Sequence, residues 1–76
     1  MEDEKMRSRA NLTRYVLYTD DWFGESGYLD KGGYVTEKLE NAMFICSKEL
    51  AMYEHESLDN PSAWHIKEVI INLRVV

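Results

Sequence analysis

From Thr13 to Asp20 the chain reads TRYVLYTD, a run rich in β-branched and aromatic residues, and this composition predicts a strand. Asp and Gly then concentrate in residues 20–27 (DDWFGESG), which predicts a loop or turn. Tyr28-Leu29 and Tyr34-Val35 flank Asp30-Lys31-Gly32-Gly33. Either these pairs form one second strand with a glycine bulge, or they are two short strands joined at Gly32-Gly33 by a tight turn. The pattern favours a hairpin of 13–20 with 27–35.

The period changes after Thr36, which stands as a helix N-cap before Glu37-Lys38-Leu39. Apolar residues recur at Leu39, Ala42, Met43, Cys46, Leu50 and Tyr53, the spacing of one helical stripe. A single helix over 37–57 satisfies that stripe. Phe44 and Ile45 fall off it, however, and Ser47 before Lys48-Glu49 looks like a second N-cap. The competing reading is a short helical turn, an extended link and a helix over 48–57, and both remain open. Leu58-Asp59-Asn60-Pro61-Ser62 breaks the chain, because Pro lacks a donor and Asn, Asp and Ser favour turns.

The last segment, AWHIKEVIINLRVV, carries the strongest strand signal. Trp64 and Ile66 alternate on one face, then Val69, Ile71, Leu73 and Val75 on the other. That change of phase near Lys67-Glu68 implies a bulge or a strand apolar on both faces. The expected fold is therefore α+β with the order β-β-α-β: a three-stranded antiparallel sheet with one face covered by a helical segment. Residues 1–12 lack apolar periodicity and are expected to be a flexible N-terminal arm ahead of a single domain over 13–76.

Composition narrows the function. Seventy-six residues suffice for one core, and a domain of this size buries only about 60% of the surface its unfolded chain exposes. The single cysteine, Cys46, allows no internal disulfide, which fits a reducing, cytoplasmic setting. No apolar run is long enough to span a membrane, and residues 1–12 lack the apolar region of a typical signal peptide. Hydrophobic residues make up 45% of the chain and aromatics 12%, which argues for a folded chain over a disordered one. Charge is uneven: residues 1–14 sum to +1 and residues 15–76 to −6. An acidic body repels phosphate, so direct nucleic-acid binding is not expected of it.

Candidate chemistry is sparse. No phosphate loop, nucleophile elbow or zinc motif is present. Adjacent residues of the Glu54-His55-Glu56 triplet point about 100° apart on a helix and cannot converge on one ion. His65, beside Trp64, reads as a surface or boundary residue. Cys46 reads as a small buried hydrophobe on the stripe. No catalytic residue, metal site or cofactor is expected. The segment that invites a functional reading is Asp20-Asp21-Trp22-Phe23-Gly24-Glu25, where two large aromatics are bracketed by three carboxylates in the manner of a binding hot spot. Core capping by Trp22 or Phe23 is the competing reading, compatible with the first. Glu37 and Glu40, with Glu54, Glu56 and Asp59, surround the helical segment. They form either a solvated face or an acidic surface that imitates a phosphate backbone.

Tyr15-Val16-Leu17, Gly27-Tyr28-Leu29, Thr36 to Ala42, Phe44 and Ser47 to Ala51 together resemble a recurrent type of small bacteriophage protein. In that type a hairpin leads into a T-x-x-L-x-x-A-x-x-F-like stretch, a helix and a final strand. Here Phe44 follows Ala42 by two residues where the pattern has three. The resemblance spans about residues 13–75 and implies a phage accessory protein, a class that includes anti-CRISPR and other host-takeover inhibitors. Such proteins act by stoichiometric binding in the host cytoplasm.

The expectation is thus a small acidic, non-enzymatic binding protein. Its partner would be a host protein, such as a nucleic-acid-binding defence complex, met by Asp20, Asp21, Trp22, Phe23, Glu25, Glu37 and Glu40. The alternative is a structural or assembly protein that homodimerises through the exposed edge or apolar second face of strand 63–76.

Overall fold

A computed structural model describes residues 9–74. β1 (Arg9–Trp22) and β4 (Trp64–Arg74) form a long antiparallel ribbon, to which β2 (Glu25–Leu29) and the two-residue β3 (Val35–Thr36) add on the other side of β1. The sheet has four strands in the order β3-β2-β1-β4, and the chain order is β-β-β-α-β. The α+β class and the single antiparallel sheet agree with the sequence pattern, whereas the three-strand count falls one short. The extra strand arises at Asp30, whose Oδ1 accepts from the Gly32 and Tyr34 amides at 2.8 and 2.9 Å and closes a tight turn before Val35. Of the two readings of this region, two short strands joined at Gly32-Gly33 is the one observed. Strand pairing begins at Arg9, inside the arm expected over 1–12, and residues 1–8 of that arm lie outside the described residues.

Residues 37–57 are not one helix. A 3-10 turn at Leu39–Asn41 is followed by an extended link, and then by α1 (Lys48–Glu56). Ser47 caps α1, its side chain accepting from the Leu50 amide at 3.1 Å. Thr36, the other cap candidate, accepts from the Lys38 amide and caps no α-helix. The link is extended because it pairs with the sheet. Ile45 exchanges both main-chain bonds with Tyr15, at 2.8 and 2.9 Å, and the Met43 amide donates to the Leu29 carbonyl. Those bonds satisfy backbone groups that a continuous helix would have satisfied within itself. The expected stripe therefore fails: Cys46, Leu50 and Tyr53 are exposed. The face of α1 that meets the sheet instead carries buried Ala51 and half-buried His55.

The core lies between α1 and one face of the sheet and comprises Leu17, Leu29, Ile45, Ala51 and Trp64, with Tyr15, Trp22, Met43, Leu58 and Ile66 packed around it. Odd positions of β1 face this core. Even positions face the other side, where Val16 is nonetheless fully buried. The Tyr15–Ile45 bridge sets Phe44 opposite Val16, and Tyr18 meets Tyr28 edge-on at 5.3 Å with Lys67 Nζ 4.2 Å from the Tyr18 ring. β4 runs in unbroken register against β1, so its change of apolar phase marks a strand apolar on both faces and not a bulge.

Candidate functional site

β1 and β2 are joined by only two residues, Phe23 and Gly24, between the paired Trp22 and Glu25. Most of the expected 20–27 loop is therefore strand. Phe23 has φ 54° and Gly24 φ 86°. Positive φ at both central positions is the type I′ turn, whose backbone twist matches that of a two-stranded ribbon. Glycine suits the second position, but a bulky aromatic at the first is an outlier that costs on the order of 1 kcal/mol. Phe23 is also 90% exposed, so burial does not repay that cost, although its ring meets Trp22 edge-on. The Asp21 carboxylate steadies the turn by accepting from the Gly24 amide at 3.0 Å.

The register of β1 against β2 shifts between Thr19 and Trp22. One extra residue on β1 turns Trp22 onto the same face as Thr19, where its ring meets Trp64 at 5.7 Å. Asp20 leans the other way, 3.9 Å from His65 Nε2. The hairpin end thus carries an exposed ring on a half-buried indole, with the exposed carboxylates of Asp20, Asp21 and Glu25 beside it. Core capping falls to Trp22 and exposure to Phe23.

Five of the seven expected contact residues are gathered on this hairpin. Glu37 and Glu40 are exposed on the connection between β3 and the Ala42–Ile45 link, and neither is hydrogen-bonded or ion-paired to the hairpin among the described residues. Glu37 directly follows Thr36, which pairs with Tyr28 of β2. His55 has a structural place: its Nε2 lies 2.8 Å from the Trp64 carbonyl and ties α1 to the start of β4. The sequence signal for that tie was only the proximity of His55 to the Asn60-Pro61 breaker, which returns the chain toward the helix end.

A hollow of about 390 Å³ between the start of α1 and the sheet is lined by Tyr15, Lys48, Ile66 and Glu68 and opens to solvent. Among the described residues no cluster of His, Cys, Asp and Glu is arranged to hold a metal, and no helix is long and apolar enough to cross a membrane. Comparison with known protein families, curated proteins and solved structures returned no match.

Proposed function

We propose that this protein is a non-enzymatic binding module that engages a partner protein with the tip of its β1–β2 hairpin. The observation that carries this reading is Phe23, a large apolar side chain held in solvent at positive φ. Backbone strain at an exposed position is not repaid by burial and is typical of ligand-contacting segments. An aromatic anchor with a polar rim is also how interface hot spots are built. Asp20, Asp21 and Glu25 supply that rim and favour a basic surface on the partner. Those acids oppose insertion of Phe23 into an anionic membrane.

The resemblance to small phage accessory proteins gives the partner class: a host protein whose basic groove ordinarily handles nucleic acid, blocked stoichiometrically in the host cytoplasm. The test is capture from a bacterial lysate on the immobilised chain, compared with an Asp20→Lys, Glu25→Lys double variant. Both side chains are exposed and outside the core, so the fold is expected to persist while retention of the specific partner falls at least tenfold. Equal retention by the folded double variant would remove the acidic rim from the account.

A further inference from the structure

We infer that the outer edge of β4 is a self-association surface, along which a second copy of this chain pairs antiparallel with Ile70 opposite Ile70 of the other copy. β4 is the edge strand of the sheet. Tyr15 spends both main-chain groups on Ile45, so the Tyr15–Glu68 pair is a non-hydrogen-bonded one and the Glu68 main chain points outward. By alternation the main-chain groups of Ile66, Ile70 and Asn72 also point outward. Among the described residues none of these outward groups has a main-chain partner. At the start of the strand the edge is met by His55, whose Nε2 lies 2.8 Å from the Trp64 carbonyl.

The ribbon itself calls for a further strand. Beyond Tyr15 and Glu68, β1 and β4 continue as two strands alone, pairing Arg14 with Val69 and onward to Arg9 with Arg74. This projection stretches the molecule to 51 × 24 × 18 Å and gives a radius of gyration of 15.0 Å, against about 11 Å for a compact domain of this length. A two-stranded ribbon in water is marginal, and a third strand or a covering layer is what stabilises it. The two edges of the ribbon differ. On the β1 side, the Arg14 guanidinium donates to the Thr13 carbonyl at 2.9 Å and places a charge on that edge. On the β4 side, among the described residues, no charged side chain is hydrogen-bonded to the outward main chain of Ile66 to Asn72, and Ile70 stands 64% exposed there.

The side chains of β4 choose both the occupant and the register. Centring the pair on Glu68 would oppose two carboxylates. Centring it on Ile70 buries Ile70 against its copy and sets Glu68 opposite Asn72. On the other face the same register sets Val69 opposite Ile71. Every one of these pairs is favourable; the Ile70 pair lies on the two-fold axis and the other two each occur twice, as an isologous interface requires. The surface lies far along β1 from Phe23 and leaves the hairpin tip free in each copy.

The test has two arms. In sedimentation equilibrium across a wide concentration range, the full chain is expected to approach twice the monomer mass. The Ile70→Lys variant, which opposes two ammonium groups, is expected to stay at monomer mass with an unchanged far-UV circular dichroism spectrum. In a Cys46→Ser background, Ile70→Cys is expected to form a disulfide dimer under mild oxidation, since directly opposed Cα atoms lie about 5.5 Å apart. Glu68→Cys alone is expected not to cross-link, but to do so when mixed with Asn72→Cys. This arm decides the matter even if Ile70→Lys fails to fold. A wild-type chain of monomer mass throughout overturns the proposal, and self-linking of Glu68→Cys in place of Ile70→Cys overturns the register.

Discussion

Trp22 and Phe23 are neighbours in sequence whose rings meet edge-on at 5.0 Å, yet one belongs to the core and the other to solvent. The register shift after Thr19 makes this division. It rotates Trp22 inward against Trp64 and delivers Phe23 to the first position of a two-residue turn. Trp22 is in this way the platform on which the exposed Phe23 ring rests.

Replacement of Trp22 by Ala is expected to cost about 2–3 kcal/mol, less than a fully buried tryptophan because the indole is half-buried. Total stability for a domain of this length is on the order of 4–11 kcal/mol. The loss is therefore a large share of it, and Trp22→Ala weakens binding through the fold. Urea denaturation reads this effect. A midpoint unchanged from wild type would mean that the Trp22–Trp64 contact carries no stability.

Thr19 is fully buried, and among the described residues its hydroxyl has no hydrogen-bond partner. Thr19→Val keeps the branched shape that suits a strand and removes an unsatisfied polar atom, so it is expected to stabilise by about 1 kcal/mol. A rise in the urea midpoint checks this, and a fall would show that the hydroxyl is satisfied in solution.

Gly27 has φ 149°, and a Cβ there would run into the Thr36 carbonyl on β3. Gly27→Ala is expected to detach β3 and to cost about 2 kcal/mol or more. Hydrogen exchange should then quicken over residues 25–36 while the β1–β4 ladder keeps its protection. Wild-type protection over 25–36 would contradict the close approach.

Part of the strand pattern and one of the two caps were legible in the sequence, where local chemistry decides them. Ser47 marked the start of α1 because its hydroxyl needs only the Leu50 amide three residues on. Gly32-Gly33 marked a turn for the same kind of local reason. What failed depends on distant partners. The helical stripe from Leu39 to Tyr53 looked continuous because Ala42 and Met43 fall on it by spacing. The bonds from Met43 to Leu29 and between Ile45 and Tyr15 override that spacing. Cys46 was expected inside for the same reason and is exposed.

At the candidate site, Asp20 to Glu25 stood out by composition, but the division of roles within it did not. It depends on a register shift that leaves no mark in the residues, and on a type I′ turn whose Gly24 was legible while Phe23 is an atypical occupant. Glu37 and Glu40 were grouped with this segment by charge alone, which carries no information about position. The open edge of β4 was foreshadowed by a strand apolar on both faces. Its register needed the alternation fixed by Tyr15 and Ile45.

The central claim, that Phe23 is held at the hairpin tip for contact, is tested most directly by Phe23→Asn, read for stability and for partner capture on the same preparation. Asparagine accepts positive φ and with Gly24 completes the favoured type I′ pair, so the variant is expected to gain about 0.5–1 kcal/mol in urea denaturation. The same variant is expected to lose at least tenfold in retention of the partner captured by wild type, because the anchor is gone. Opposite signs in the two readings are the predicted result. A Phe23→Asn chain that is more stable and still retains its partner as wild type does would contradict the account.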